Sequence, residues 1–262
     1  MSSMGKEIRL RHIFRERDRA VLVAMDHGVS AGPIEGLEDI GKAVANAAKG
    51  GASAVILHKG LVRFAAPYLG NGTGLILHLS ASMTISTKKD RKVLVADVAE
   101  ALAYGPDAIS VHTNMGGDDD DMMLADLGAT AASCDRFGMP LLVMAYPRGA
   151  NVKDPFHVDV VKHTARAAAE LGADIVKTNY TGGPDTFREV VRGCPVPVLV
   201  AGGPKMESDR ATLEVVKGAM EAGAAGVSIG RNIFQHKDPV GMCRAIVRIV
   251  YDGAAVDDVY RW

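Results

Sequence analysis

Short apolar runs alternate with helical segments along the whole chain. Each run is almost continuously apolar, which is typical of strands covered on both faces and not of a sheet with one face in water. Ala-, Glu- and Lys-rich segments with helical spacing lie between the runs, and several end in a glycine-containing turn. The runs are residues 20–25, 53–58, 74–78, 108–112, 140–145, 174–177, 197–201 and 226–229, and the helical segments include 40–49, 92–103, 125–137, 158–171, 186–192 and 211–222.

This alternation predicts an α/β protein with a single (β/α)8 TIM barrel. An open doubly wound sheet is the main alternative, but no Gly-x-Gly-x-x-Gly turn follows the first run. No Pro-, Ser- or Gly-rich stretch is long enough to separate two domains. Residues 1–262 are therefore expected to form one barrel domain, with residues 1–19 as an N-terminal lead-in.

Composition and charge exclude several classes of protein. The 30 Lys and Arg residues against 31 Asp and Glu give a formal net charge of −1, so no overall field attracts nucleic acid or an acidic membrane. Cys134, Cys194 and Cys243 form neither a disulfide framework nor a metal-spaced pair, and they suit a reducing compartment. Without a membrane-length run or a signal-peptide core, a cytoplasmic protein with no nucleic-acid or membrane partner is expected.

Polar and titratable residues follow each of the eight runs. In a (β/α)8 barrel the carboxyl ends of the strands carry the active site, so these residues are expected to converge in one place. The polar segments begin, in chain order, at Asp26, His58, His78, His112, Tyr146, Lys177, Gly202 and Gly230.

Lys177, at the end of the sixth run, is the most informative residue of this set. A lysine inside a packed sheet loses hydration at its ammonium, which lowers its pKa. A pKa of roughly 7–8 would supply the neutral amine that a Schiff-base nucleophile needs. A structural lysine, whose stem covers the core and whose ammonium reaches water, explains this strand equally well on its own.

Glycine-rich loops after the seventh and eighth runs indicate an anion site. Gly202-Gly203 lets the backbone approach an anion, and Gly230-Arg231 opens a short helical segment whose first N–H groups face the same place. Loops at these positions form the standard phosphate site of such barrels. Tight turns alone explain both loops poorly, so a phosphorylated substrate is expected, with charge from Lys205 or Arg231.

Two further residues could move protons near Lys177. Asp26 could accept or return a proton, although an aspartate in a turn or at a helix cap is a serious alternative. Tyr146 precedes a proline and is biased to extended backbone, which could aim its phenol inward as a general acid or base. A buried tyrosine bonded to the backbone is the alternative for that residue.

The remaining charged and histidine clusters favour structural roles. His58, His78 and His112 lie on successive runs and invite a zinc site, but no matching carboxylate spacing accompanies them. Polar or substrate contacts, and no metal, are therefore expected. The four aspartates 118–121 are expected to begin the helix after the fourth strand, where carboxylates complement the helix dipole.

The segments after the strands, taken in order, resemble the archaeal-type class I aldolase family. The likeness extends over nearly the whole chain, from about residue 10 to about residue 250. The resemblance implies that Lys177 forms a Schiff base with a ketose phosphate, that Tyr146 donates protons and that Asp26 accepts them. The matching motifs are Met25-Asp26-His27-Gly28-Val29-Ser30, His58-Lys59-Gly60, His78-Leu79-Ser80, Tyr146-Pro147-Arg148-Gly149, Ala173-Asp174-Ile175-Val176-Lys177-Thr178, Gly202-Gly203-Pro204-Lys205 and Gly230-Arg231-Asn232-Ile233-Phe234-Gln235.

The resemblance also implies the substrate contacts and the assembly. No cofactor is implied, because the electron-withdrawing cation forms covalently on Lys177. A homo-oligomer is implied, with a decamer of stacked rings as one form. The substrate-binding residues carried over by motif are Asp26, His27, Gly28, Val29, Ser30, Tyr146, Pro147, Arg148, Gly202, Gly203, Gly230 and Arg231.

Within the family, the segments at His58 and His78 look more like a synthase branch than like fructose-bisphosphate aldolases. That branch passes a three-carbon fragment of 6-deoxy-5-ketofructose 1-phosphate to L-aspartate semialdehyde, in a route to 3-dehydroquinate and aromatic amino acids. Fructose-bisphosphate cleavage and condensation of dihydroxyacetone phosphate with aspartate semialdehyde are the alternatives within the chemistry. A non-catalytic sugar-phosphate-binding barrel is the alternative from another class. Residues 82–84 and 88–90 depart from the family pattern and could border the acceptor pocket.

Overall fold

The eight apolar runs form eight parallel strands that close into a barrel. The computed structural model describes residues 4–15, 18–69 and 72–260. The prediction of a (β/α)8 barrel is confirmed, and the strands pair in the order β1-β8-β7-β6-β5-β4-β3-β2 before the ring closes. Their bounds are β1 Ala20–Ala24, β2 Ala54–Leu57, β3 Gly74–His78, β4 Ala108–Met115, β5 Leu141–Pro147, β6 Ile175–Thr178, β7 Val198–Ala201 and β8 Gly226–Ile229.

Side chains alternate between the two faces of each strand, and this produces two separate apolar layers. On β1, Leu22 and Ala24 belong to the cluster inside the barrel, whereas Val21 and Val23 belong to the cluster between the barrel and the helices. The same two-residue period holds on β6, where Ile175 points inward and Val176 outward. Positions that face the barrel axis can therefore be counted in steps of two along each strand.

The helices begin and end where local sequence signals place them. Asp39, Asp97 and Ser208 are N-caps whose side chains accept hydrogen bonds from backbone N–H groups of the first turn. Gly51 and Gly138 end two helices in the left-handed conformation. The helices are Met4–Ile13, His27–Ala31, Ile40–Gly50, Lys59–Ala65, Val98–Leu102, Asp120–Phe137, Val158–Glu170, Pro184–Gly193, Asp209–Glu221, Arg231–Phe234, Pro239–Val247 and Val256–Val259, with a 3-10 turn at Ala66–Tyr68 and a π-helical turn at Arg248–Asp252.

One predicted helix, residues 92–103, is wrong in its first half. Val93–Leu94 pairs antiparallel with Ser80–Ala81 as a short two-stranded ribbon, and the helix begins only at Val98. The Asp97 cap fixes that start, since its carboxylate accepts a hydrogen bond from the Glu100 N–H at 2.7 Å. The aspartates at 118–121 do begin a helix, as expected, with Asp119 at the N-cap position.

The helix Met4–Ile13 packs against the amino-terminal end of the barrel. Ile13 is fully buried in the interior cluster. The Lys6 ammonium donates to both carboxylate oxygens of Asp174, at 3.0 and 2.8 Å, and also bonds Asp135. Asp174 in turn accepts a hydrogen bond from the Leu141 N–H at 2.8 Å, which ties the helix to the start of β5.

Two further observations concern the described helices and the cysteines. None of the helices that the structure describes is both long and apolar enough to cross a membrane. Cys134, Cys194 and Cys243 are all buried as free thiols, so each acts as a core residue.

We expect Asp174→Ala to lower the free energy of unfolding by about 2–3 kcal/mol. The substitution leaves the Leu141 N–H without its acceptor and removes a carboxylate from a buried ammonium. Urea denaturation followed by circular dichroism measures the loss. Asp118→Ala, at an exposed aspartate, is the matched control and should change stability by less than about 0.5 kcal/mol. Equal stability of the two variants would contradict this role for Asp174.

Candidate active site

A cavity of about 800 Å³ opens at the carboxyl ends of the barrel strands. Its walls include residues that follow β1, β5, β6, β7 and β8, together with the loop that follows β3. The inward-facing positions explain this convergence. Lys177 lies two residues after inward Ile175, Asp26 two after inward Ala24, and Tyr146 two after inward Met144. The strand period therefore aims all three predicted catalytic residues at the same space.

Lys177 is buried, with 6 % of its surface exposed, and lines the cavity from β6. Burial lowers its pKa, because the ammonium loses hydration. Asp26 acts in the opposite direction by stabilising the ammonium, and the positive charge of Arg231 lowers the pKa further. The structure thus removes the alternative of a lysine reaching bulk water. Its amine lies inside the barrel at the mouth of the strand.

Asp26 presents an ionised carboxylate to this amine. It occupies the N-cap position of the helix His27–Ala31 but its side chain caps no backbone N–H. Burial alone would raise its pKa, but His78, His27 and Lys177 outweigh burial and lower the pKa well below the usual range. Its Oδ1 is buried without a hydrogen-bond partner among the residues that the structure describes, and its Oδ2 lies 3.8 Å from Nε2 of His78. Asp26 is therefore a charged group available to a substrate.

The histidines beside Asp26 are held neutral. Burial lowers the pKa of His78 to about 3, and its Nδ1 lies 2.8 Å from the Ser110 hydroxyl. Burial also lowers the pKa of His58, whose ring meets that of His78 edge-on at 5.1 Å. His112 is likewise depressed by burial, and its Nε2 bonds Oδ1 of Asn114 at 2.8 Å. Within the described parts of the chain, no group of three or more His, Cys, Asp or Glu residues could hold a metal ion.

Tyr146 supplies a protonated phenol. Burial raises its pKa, so the hydroxyl keeps its proton across the neutral range. The ring meets His112 edge-on at 5.0 Å, and the guanidinium of Arg148 lies 5.7 Å from the ring centroid. A phenol of this kind can donate a proton to a developing alkoxide, whereas it is a poor base.

The loops after β7 and β8 form a close backbone cradle. Gly203 has φ +63°, a left-handed conformation that favours glycine, and Arg231 Nη2 donates to the Gly203 carbonyl at 3.1 Å. A Cβ at Gly230 would lie 2.5 Å from the carbonyl oxygen of Ala24. Gly230 leads directly into the helix Arg231–Phe234. These features agree with an anion held by loop backbone and by Arg231.

Asn232 holds the cradle together, a role that the motif analysis missed. The side chain is buried, and its Nδ2 donates to the carbonyls of Gly202 and Pro204 at 2.9 and 3.0 Å. Its Oδ1 accepts from the Met206 N–H at 2.8 Å. One amide thus ties the β7 loop to the β8 helix. An asparagine directly after Gly-Arg at a strand end is the sequence signal that could have indicated this role.

Comparison with known proteins places the chain in a family. The family model for DeoC/LacD family aldolases matches residues 20–236. The chain belongs to the DeoC/LacD aldolase family.

Relatives match this aldolase over nearly its full length. A 2-amino-3,7-dideoxy-D-threo-hept-6-ulosonate synthase of Halobacterium salinarum is 40 % identical over 254 residues, which cover 97 % of this chain and 94 % of that protein. A 2-amino-4,5-dihydroxy-6-oxo-7-(phosphonooxy)heptanoate synthase of Streptomyces griseus is 38 % identical over 249 residues, covering 95 % and 91 %. An archaeal fructose-1,6-bisphosphate aldolase, solved with its catalytic lysine covalently bound to a carbinolamine intermediate, superposes with a TM-score of 0.86 at 31 % identity, covering 94 % and 99 %.

Most of the predicted substrate-binding residues of this aldolase line the cavity, and two do not. Those that do are Asp26, His27, Ser30, Tyr146, Pro147, Arg148, Gly202, Gly203, Gly230 and Arg231. Gly28 and Val29 lie outside the lining, and Val29 is 39 % exposed. Both belong to the helix His27–Ala31, whose turns aim successive side chains in different directions.

Two other lysines of the matching motifs, Lys59 and Lys205, do not line the cavity that Lys177 lines. Lys205 donates from its ammonium to the carbonyl of Gln235 at 3.0 Å and does not line the cavity. Lys59 pairs with Glu100 at 2.7 Å on the surface. By contrast, the loop after β3 does line the cavity. Ser82, Thr84, Lys89 and Asp90 come from the two segments that were expected to border the acceptor pocket, whereas Lys92 was not predicted as a contact.

We expect Gly230→Ala to weaken anion binding by this aldolase by about 10-fold and to cost about 1–3 kcal/mol of stability. The added Cβ would overlap the Ala24 carbonyl and force the β8 loop away from the anion. Calorimetric titration with dihydroxyacetone phosphate measures the affinity. Gly128→Ala is the control, because a Cβ at that helical position meets nothing within 4 Å. Unchanged affinity in Gly230→Ala would exclude the cradle as the anion site.

Proposed function

We propose that this chain is a Schiff-base (class I) aldolase with Lys177 as its nucleophile. The observation that supports this most strongly is the buried Lys177 amine beside the ionised Asp26 carboxylate in the cavity. A depressed pKa raises the fraction of neutral amine that can attack a ketone. The relative with a carbinolamine on its catalytic lysine supports the same chemistry. The whole chain, residues 1–262, would act as one catalytic domain.

The proposed substrates are 6-deoxy-5-ketofructose 1-phosphate as donor and L-aspartate semialdehyde as acceptor. The name of the Halobacterium salinarum relative supports this choice, because its product is a seven-carbon 2-amino acid with a ketone at C6. Carbons 1 to 4 of that skeleton correspond to aspartate semialdehyde, and carbons 5 to 7 to a three-carbon ketone fragment. The product would feed the route to 3-dehydroquinate and aromatic amino acids.

The proposed reaction begins with attack of the Lys177 amine on the donor C5 ketone. Tyr146 donates a proton to the carbinolamine oxygen, which leaves as water and gives an iminium ion. Asp26 then accepts the proton of the C3 hydroxyl as the C3–C4 bond breaks. The bond electrons move to C4 and C5 to form an enamine, and C1 to C3 depart as a phosphorylated aldehyde.

The second half of the proposed reaction forms the new carbon–carbon bond. The enamine carbon attacks the aldehyde of aspartate semialdehyde, and the new alkoxide takes back a proton from the now protonated Asp26. Water hydrolyses the resulting iminium, which frees the product ketone and the Lys177 amine and returns one proton to the Tyr146 phenolate. The neutral Tyr146 phenol and the ionised Asp26 carboxylate are in the protonation states that these roles require.

A second candidate reaction is the direct condensation of dihydroxyacetone phosphate with aspartate semialdehyde. The glycine cradle with Arg231 favours it, because Arg231 also acts on the Lys177 charge and a phosphate would remain on the lysine-bound fragment. The name of the Streptomyces griseus relative carries such a phosphate. Fructose-bisphosphate cleavage stays a third alternative, supported by the archaeal aldolase fold. The predicted homo-oligomer and cytoplasmic location stay predictions.

We expect borohydride to trap a ketose-phosphate adduct on Lys177, and Lys177→Ala to lose the adduct and more than about 1000-fold of activity. Lys205→Ala and Lys59→Ala are matched controls that should keep both the trapped adduct and the activity. Mass spectrometry of the trapped enzyme separates the donors. When 6-deoxy-5-ketofructose 1-phosphate is cleaved in the absence of an acceptor, an unphosphorylated three-carbon fragment stays on the lysine. Dihydroxyacetone phosphate leaves a phosphorylated three-carbon fragment instead. Fructose 1,6-bisphosphate cleavage without any 2-amino acid product would overturn the proposed acceptor, and an adduct in Lys177→Ala would overturn the nucleophile.

We expect the pH profile of adduct formation to identify the charges around Lys177. Adduct yield with uncharged dihydroxyacetone, quenched by borohydride at each pH, should rise as the amine loses its proton. Removing the negative charge in Asp26→Asn destabilises the ammonium and moves the inflection to lower pH. Removing the positive charge in Arg231→Gln moves the inflection to higher pH. Shifts of both variants in one direction would contradict this electrostatic arrangement.

A further inference from the structure

The loop after β3 folds back over the cavity and is fixed on two sides. We call residues 82–92, between the ribbon strands Ser80–Ala81 and Val93–Leu94, the β3 strap. Thr84 donates to the Ser30 carbonyl from both its N–H and its hydroxyl, each at 2.9 Å. The buried Asn114 amide donates to the Asp90 carbonyl. These bonds hold the strap against the helix His27–Ala31 and against β4, so its inward side chains have defined positions.

Lys92 carries an ammonium into the cavity from the end of the β3 strap. The side chain is half-buried and donates to the Ser82 hydroxyl, which itself donates to the Lys89 carbonyl at 2.8 Å. Among the residues described, no carboxylate lies within 4.0 Å of this ammonium. Burial lowers the pKa of Lys92, and the nearby charge of Arg148 lowers it further. A partly desolvated cation with two N–H groups left over is a site that an anion would stabilise.

Asp90 places a negative charge beside this cation. Asp90 also lines the cavity, and its charge acts on Lys92. Its Oδ1 lies 3.8 Å from Nη1 of Arg148, with both side chains about half exposed. That separation is too long for a direct hydrogen bond, so the carboxylate keeps lone pairs for another donor. Lys92 and Asp90 together therefore present one positive and one negative group at the same end of the cavity.

The position of this pair relative to Lys177 matters for the reaction. In the strand order of the closed barrel, β3 and β4 lie across the axis from β7 and β8. The β3 strap and the glycine cradle thus occupy opposite sides of the cavity, with Lys177 reaching the interior from β6. A substrate whose phosphate meets the cradle would direct its far end toward Lys92 and Asp90.

We propose that Lys92 binds the carboxylate and Asp90 the α-ammonium group of an amino-acid aldehyde acceptor. The inference rests on the proposed function and names the acceptor subsite of that same cavity. A zwitterionic acceptor satisfies both charges at once. The phosphate of an aldehyde such as glyceraldehyde 3-phosphate could pair with Lys92, but this aldehyde has no ammonium group to pair with Asp90. The pair therefore selects acceptors with adjacent ammonium and carboxylate groups.

Four aldehydes that share one skeleton test the two contacts separately. Aspartate semialdehyde has both groups, succinate semialdehyde lacks the ammonium, 3-aminopropanal lacks the carboxylate, and propanal lacks both. Lys92→Met should lower kcat/KM for the two carboxylated aldehydes by about 10- to 100-fold and leave the other two within about twofold. Asp90→Asn should lower kcat/KM only for the two amino aldehydes. One donor is used at a saturating concentration throughout. Any effect of a variant on the donor therefore cancels when kcat/KM values for two aldehydes are compared.

Controls and contrary results follow from the same set of aldehydes. Lys88→Met, at an exposed lysine of the same strap that does not line the cavity, should leave all four rates unchanged. Propanal also reports whether each variant keeps a working site. An equal loss for propanal in Lys92→Met would mean that Lys92 only supports the strap, and this would overturn the inference. Glyceraldehyde 3-phosphate is assayed as a fifth aldehyde, and a loss in Lys92→Met that is confined to it would overturn the inference as well, by assigning the site to phosphate.

These results are distinguishable from failure of the proposed function. One result is that Lys177 forms the trapped adduct and the 2-amino acid product appears, while Lys92→Met leaves the relative kcat/KM values of the four aldehydes unchanged. In that case only the acceptor subsite is wrong. If the enzyme forms the adduct but, assayed without borohydride, transfers its fragment to none of the four aldehydes, both the proposed acceptor and the subsite are overturned.

Discussion

The two-residue period of the strands decides which side chains of this barrel meet. Counting from inward Leu22, Ile56, Ile76 and Ile175 leads in steps of two to Asp26, His58, His78 and Lys177. A shift of one residue on any of these strands would exchange its inward polar group for an outward one. The same alternation that fills the lower barrel with Leu, Ile, Ala and Met therefore concentrates ionisable groups at its upper rim. Core packing and the composition of the active site therefore both depend on the two-residue alternation of side chains along the strands.

Because many ionisable groups share one buried space, only some of them can carry a charge. Burial opposes every charge at the rim, so the histidines are neutral and the Tyr146 phenol stays protonated. The negative charge is retained at Asp26, because His78, whose Nε2 lies 3.8 Å from the carboxylate, His27 and the Lys177 ammonium offset burial. Burial is the largest cause of the lowered pKa of Lys177, and the nearby charges adjust how far that pKa falls. Asp26 and Arg231 act on the amine in opposite directions and so set its protonation state together.

Much of this arrangement could be predicted from sequence because it follows from local pattern. The apolar runs located all eight strands, and the segments that follow them contained Lys177, Asp26, Tyr146 and both glycine loops. Features that depend on tertiary folding were not visible in that pattern. The helix predicted at 92–103 begins late because Val93 pairs with Ala81 across the strap. Gly28 and Val29 turn away from the cavity because a helix, not a strand, follows Asp26. Lys92 reaches the site only because the strap folds back.

The position of the phosphate along each candidate donor bears on how the two ends of the cavity would be used. In dihydroxyacetone phosphate the phosphate is one carbon from the Schiff-base carbon, which matches a cradle whose Arg231 also acts on the Lys177 charge. In 6-deoxy-5-ketofructose 1-phosphate the ketone that joins Lys177 is at C5 and the phosphate is on C1, beyond the bond that breaks. That phosphate would extend toward the β3 strap and leave with its aldehyde fragment. Because the bond broken and the bond formed involve the same enamine carbon, the incoming acceptor must occupy the space the fragment vacates.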